Sequence, residues 1–331
     1  MSYILYLLGA IVILLTMLDI IWTTLWVDGG AGWFTDRLTT TVWKWILKTN
    51  NKFLLNISGA LILTLTLFGW FFLLWLGATI FFAGDLNAIV NTSTNEAITW
   101  YQLPYFSGFT LFTLGIGDFT PQTTFLQIAT ALTSGIGMLL ITFGASYILS
   151  IVSAVVEKRT FARNIMGIGE NSTQFLLDAW NGEDFHQLDD ILSDLNSQIT
   201  QLTQQIQAFP LLQYYHSENK EKTTTVAMAV LYEAVGVLRF GVKDKKLINT
   251  ILIRATQKSI HNFVETSING YGDLLVDFEE VPSKIDLSNL SQTNIPLTSQ
   301  AEYSEEMKQF ENHRKDLLKI IKIDNHDWPN E

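Results

Sequence analysis

Three long apolar runs constrain this chain before anything else does. Tyr3 to Val27, Phe53 to Phe82 and about Thr123 to Val156 are each long enough to cross a bilayer. With 48% hydrophobic content over 331 residues, they exclude an ordinary soluble domain. The chain changes character near residue 163. Up to that point acids and bases balance at seven each, whereas the rest holds 25 acids and 14 bases, so the whole net charge of −11 belongs to the second half. An all-α membrane protein with a separate helical domain is the expected class.

The first run has no basic leader, exceeds the length of a signal core and lacks a small-residue cleavage site, so it reads as a retained helix. Cysteine is absent, which excludes disulfides and thiolate metal sites, and the five histidines lack ligand spacing. Orientation follows from lysine and arginine. Arg37, Lys44, Lys48 and Lys52 lie between the first two runs, and Lys158, Arg159 and Arg163 follow the third. Basic segments favour the cytoplasmic side, which puts the N-terminus and residues 83 to 122 outside and the acidic tail inside. A multi-pass protein of the plasma or inner membrane, in contact with lipid, is expected.

Residues 83 to 122 begin and end on one face, so any part entering the membrane must turn back. Irregular backbone at that depth survives only where it is buried in protein or lines a watery cavity. Pro104 suits the first turn of a short helix, and "YFSGFTLF" is apolar enough to enter the bilayer but too short to cross it. Next comes "TLGIGD", residues 113 to 118, where Asp118 is the one charge between Glu96 and Glu157. A strand whose successive carbonyls face one way must alternate left- and right-handed angles, which glycine adopts at least cost. Gly115 and Gly117 fit that alternation. The carbonyls of Thr113, Leu114, Gly115 and Ile116, with the Thr113 hydroxyl, would then replace the water shell of a cation. The plain alternative is a Gly-Asp turn in an external loop, which leaves the preceding apolar half-helix unexplained.

"TLGIGD" resembles the T-x-G-x-G-D signature of potassium channels, and "YFSGFTLFTLGIGDFTP" is similar to the pore helix, filter and following turn of two-transmembrane and tandem-pore members. The resemblance covers about residues 53 to 156 and implies a pore-loop cation channel with potassium at the carbonyls of Thr113 to Ile116 and Asp118 closing the filter. It implies no enzyme activity and no cofactor beyond permeant ions. A ring of carbonyls needs four loops and the chain has one, so a homotetramer is expected. Ile116 stands where relatives carry tyrosine or phenylalanine, Phe112 replaces a common threonine, and Phe109 sits where some relatives place glutamate. A different brace is therefore expected, with the Tyr105 hydroxyl reaching the Asp118 carboxylate. The resemblance places an inner-helix hinge at Gly137, beside Gly135; close helix packing is the other reading of such a glycine. Met138, Ile141, Ala145 and Leu149 recur at helical spacing as the expected pore-facing seam. Weaker cation selectivity, and a membrane-anchored sensor or effector with a vestigial pore, are the alternatives.

Four segments follow: residues 1–27, a first transmembrane helix; 28–52, with an interfacial helix over 34–48 and Asp36 as its cap; 53–163, the pore domain; and 164–331, the cytoplasmic domain. Asp19 lies inside the first run and is expected to pair with an interfacial lysine or arginine, a part in gating being the lesser reading. No run carries an arginine series for voltage sensing. Between Asn164 and Asn219 there are eight acids and no lysine or arginine, a solvated face that would also gather cations below a pore. Leu188, Leu192, Leu195, Ile199, Leu202, Ile206 and Phe209 have coiled-coil spacing, for packing either within the chain or about a fourfold axis. Helices are predicted near 222–241, 244–268 and 300–322, the last with a Ser299/Glu302 capping box, and a linker over 279–298 that still has apolar residues to dock. "GIGENS" lacks the third glycine and the strand–helix context of a dinucleotide fingerprint. No nucleic-acid partner is expected, and the ligand or protein partner of the tail is open.

Overall fold

Where no water can pair the backbone, a single apolar segment satisfies its own N–H and C=O groups by forming a helix. The computed structural model, which describes residues 2–27, 29–49, 51–272, 280–291 and 293–329, follows that rule. The three runs become α1 (Ser2–Leu25), α3 (Lys52–Phe82) and α5 (Thr124–Met166), with α2 (Trp33–Thr49) between the first two. The short α4 (Leu103–Leu111) lies between α3 and α5. Flanking it, β1 (Ile89–Asn91) pairs antiparallel with β2 (Phe119–Pro121), Val90 opposite Thr120. The chain divides into two compact units, one of residues 1–42 and 60–151, the other of 43–59 and 152–331.

In the first unit, α1 lies against α3 through small residues. A Cβ on Gly9 would meet the Phe81 backbone at 2.4 Å, and one on Gly77 would meet Ile13. Phe82, Ile89, Leu103, Phe106, Phe109 and Phe119 form one buried cluster, and Ile20, Trp70, Leu74, Leu111 and Leu140 another. Asp36 is not a cap: α2 begins at Trp33, Asp36 already donates its N–H to Gly32 O at 2.7 Å, and it therefore stands in the first turn.

The second unit is helical. It contains α6 (Ser172–Ala179), α7 (Leu188–Ala208), α8 (Thr224–Gly236), α9 (Thr250–Tyr271), α10 (Gln300–Lys308) and α11 (Glu311–Ile323). It also takes in the ends of α2, α3 and α5. Trp43 is fully buried with its ring 5.5 Å from Tyr214, Ser58 Oγ donates to Tyr214 O at 2.6 Å, and Lys158 Nζ donates to Tyr215 O. The heptad face of α7 packs along α9 of the same chain, its leucines and isoleucines from Leu188 to Ile206 buried. Thr224–Gly241 is long and apolar enough to span a membrane, yet it forms the core of this unit. Its Glu233 and Arg314 of α11 are 2% and 0% exposed and meet at 2.5 Å, and Arg314 also donates to Pro282 O and Ser283 O.

Expectation and structure differ in the tail at three places. The helix predicted over 300–322 breaks at residues 309 and 310, because Phe310 docks its ring against Phe240 at 5.4 Å and His261 at 5.7 Å. The capping box at Ser299 and Glu302 is present. The helix predicted from 244 starts at Thr250, where Asn249 caps it by accepting the Leu252 N–H. A short helix, α6, went unpredicted; Asn171 begins it, accepting the Gln174 N–H at 2.8 Å. The linker docks through its apolar residues as expected, with Ile285, Leu287, Leu290 and Ile295 buried; its residues 279 and 292 lie outside the described set.

Candidate ion-conducting site

The half-helix α4 carries Pro104 in its first turn, where a missing N–H costs nothing. Side chains of α3 fix its position: Trp75 Nε1 donates to Pro104 O at 2.8 Å, and the Thr79 and Ser107 hydroxyls are 2.6 Å apart. Phe106 meets Phe82 and Phe109 edge to face, and Phe109 meets Tyr105 likewise, a packing aromatic rings favour. At the other end the free carbonyls find partners. Phe112 N–H donates to Gly108 O, Thr113 N–H to Thr110 O and Leu114 N–H to Phe109 O, while Ser134 Oγ of α5 donates to Thr110 O at 2.9 Å.

Beyond α4 the backbone alternates. Thr113, Gly115 and Gly117 have φ of 57°, 59° and 81°, whereas Leu114 and Ile116 are not in the left-handed region. Glycine adopts such angles freely; a β-branched threonine does so only where its surroundings hold it, a condition that clusters at functional sites. No heavy atom lies within 4 Å of where a Gly115 Cβ would be, so backbone angle and not crowding demands glycine there. Thr113, Leu114, Gly115, Ile116, Gly117 and Asp118 are all exposed on the single chain.

The far end of this stretch is tied down twice. Tyr105 Oη donates to Asp118 Oδ2 at 2.8 Å, the contact expected from the sequence. Thr92 N–H donates to Asp118 O at 2.9 Å, and the Thr92 hydroxyl lies 3.1 Å from Gly117 O. Sequence reading missed Thr92, which sits in "NTSTNE" with no pattern to single it out. Ser134 was also missed; its place one helical turn before Met138, on the face carrying Gly137 toward α4, is a signal visible only with the packing known. Phe109 is buried behind the stretch. Phe112 turns to α3, stacking on Phe71 with centroids 5.6 Å apart.

On α5, Gly137 and Gly135 differ. A Cβ at Gly137 would lie 1.7 Å from Leu111 O, whereas one at Gly135 would meet nothing within 4 Å. Gly137 is thus a point of backbone-to-backbone packing in an α5 that runs unbroken from Thr124 to Met166. Met138, Ile141, Ala145 and Leu149 are exposed on the single chain, Met138 by 66% and Leu149 by 72%.

Asp19 pairs with neither lysine nor arginine. It accepts from Phe34 N–H at 2.8 Å, Thr35 N–H at 3.4 Å, Thr35 Oγ1 at 2.6 Å and Trp70 Nε1 at 2.9 Å. The expected ion pair is replaced by neutral donors, two of them first-turn amides of α2, where the helix dipole favours a negative charge. One carboxylate therefore joins α1, α2 and α3.

Residues 53–154 match the family model described as "Ion channel". Over 323 residues the chain is 34% identical to the uncharacterized membrane protein YdjJ of Bacillus subtilis (strain 168), covering 97% of this chain and 94% of that protein. No solved structure matches. The matched region holds α3, α4, the alternating stretch and most of α5.

Proposed function

Since the chain belongs to the ion-channel family whose pore-loop domain its residues 53–154 match, we propose that it conducts potassium passively through a homotetramer. The observation carrying this reading is the alternation of left-handed angles at Thr113, Gly115 and Gly117. Such a backbone can turn successive carbonyls to one side, and four copies around an axis would make stacked rings of oxygen. Each ring would exchange a cation's water for carbonyls, and several rings in series allow binding to stay weak enough for release. The C-terminal end of each α4, partly negative by its dipole, would face the cavity below and favour a cation there. The exposed filter and the exposed seam from Met138 to Leu149 support an assembly in which neighbours cover what one chain leaves open. The proposed orientation has the N-terminus outside and the tail, with its excess of acids, on the cytoplasmic side.

Purified protein in liposomes tests the reading. Flux of potassium over sodium, with reversal potentials following the potassium gradient and cross-linking that stops at four chains, is the expected result. Equal permeability to sodium would reduce it to a weakly selective cation channel. Absence of flux from a folded protein would instead favour a membrane-anchored effector.

A further inference from the structure

On the first unit, a groove of about 820 Å³ runs between the second half of α1 and the turn into α2. Val12, Leu15, Leu18 and Trp22 form one side and Ala31 and Trp33 the other. The one acid in its lining, Asp19, is 7% exposed and holds its four donors, so the open wall is hydrocarbon and indole. Trp33 belongs to both the groove and its rim: the Arg37 guanidinium lies over its ring, 4.5 Å from the centroid. Arg37 is exposed, and no ion pair holds it among the described residues. Trp22 and Trp26 stack at 5.1 Å beside the same turn, as amphipathic rings do at headgroup depth.

We infer that this groove is a binding site for one anionic glycerophospholipid of the cytoplasmic leaflet, an acyl chain lying along Leu15 and Leu18 and the phosphate meeting Arg37. The occupant follows from the chemistry of the two ends. A slot of this size opening from a membrane-spanning helix meets lipid tails before any other apolar solute, and a tail alone would leave Arg37 without a counter-charge. The interfacial helix repeats that sign: α2 carries Arg37, Lys44 and Lys48 against Asp36 alone, which draws an anionic headgroup toward its surface. The leaflet rests on the orientation proposed above; the site itself rests on the groove and Arg37.

The test needs no channel activity. The full chain in nanodiscs of mixed phosphatidylglycerol and phosphatidylcholine is exposed to a phosphatidylglycerol carrying a photoreactive group in its acyl chain, and the labelled peptides are mapped by mass spectrometry. Labelling concentrated in residues 12–34 is expected, competed by unlabelled phosphatidylglycerol several-fold better than by phosphatidylcholine. Arg37→Gln should erase that preference while leaving acyl labelling in place, and Leu15→Trp, which fills the slot, should remove the labelling. Labelling spread evenly over the lipid-exposed helices, or equal competition by the two lipids, overturns the proposal. So does disulfide formation between two copies through a single Ala31→Cys, since a neighbouring chain would then occupy the groove.

Discussion

Tyr105 donates a hydrogen bond from its hydroxyl to Asp118 across 2.8 Å, joining the start of α4 to the residue that closes the alternating stretch. Tyr105 and Asp118 are thirteen residues apart, and the chain between them holds every carbonyl proposed to meet an ion. Removing the hydroxyl in Tyr105→Phe keeps the ring's packing on Phe109 and frees the carboxylate. The expected outcome is a several-fold fall in potassium over sodium permeability with assembly unchanged, read from bi-ionic reversal potentials and size-exclusion profiles.

Gly115 and Gly137 should fail for different reasons. Gly115→Ala forces a side chain into a left-handed angle at a cost of about 1–2 kcal/mol per chain, multiplied around the ring, so flux should vanish while the fold stays intact. Gly137→Ala drives a methyl group into Leu111 O, and overpacking of this kind costs about 1–3 kcal/mol, so its detergent melting temperature should drop. Gly135→Ala, facing open space, should leave the melting temperature unchanged.

Asp19→Asn offers an amide nitrogen where a carboxylate oxygen met a donor. At least one buried donor then loses its acceptor, at a cost of about 1–3 kcal/mol. The melting temperature should fall for Asp19→Asn and further for Asp19→Leu, while Arg37→Gln, which does not touch Asp19, should not reproduce the effect.

Within the tail, Arg314→Met should be severe, because the buried Glu233 carboxylate loses its Arg314 ion pair; breaking such a pair costs about 3–5 kcal/mol. Pairing it with Glu233→Leu should recover part of that loss. A double-mutant cycle on thermal unfolding of the full chain gives the coupling.

Acid should weaken the tail through His261. Burial, then the stacked His313 ring and Arg239, push its pKa down to about 4 from 6.5. The unfolded chain therefore binds the proton first: this stability is complete above pH 6.5 and is lost as pH falls toward 4. Melting temperatures of the second unit should decline across that window, and His261→Gln should flatten the decline. The exposed His186 moves oppositely, its pKa raised by the Asp189 hydrogen bond, so its small contribution is present in acid and lost as pH rises through the folded value.

Much of the membrane half was legible because periodicity, charge and glycine placement each answer to a local rule. Three runs without charge at their centres form helices wherever water is absent, and Gly115 with Gly117 states a backbone angle outright. Pro104 followed from its position, and the Tyr105–Asp118 contact from the resemblance to potassium-channel pores. What escaped depends on partners distant in sequence. Asp19 was expected to seek a cation because its neutral donors, Thr35 and Trp70, have no sequence sign of facing it. The break at Phe310 comes from rings on other helices, and Thr92 reaches Gly117 and Asp118 from a loop with no periodic signal. The heptad face of α7 allows two packings, of which packing within the chain is preferred, and the apolar side of α9 supplies that partner.

At Gly137 the inner helix rests on the carbonyl of Leu111 with no side chain as padding. That spot behaves as a fulcrum: the stretch of α5 preceding it cannot swing without dragging α4 and the loop that α4 carries. In the proposed channel any dilation of the conduit would thereby be confined to the longer arm beyond it, from Met138 toward Leu149, and the proposed carbonyl rings would stay still while the passage below them widened or closed.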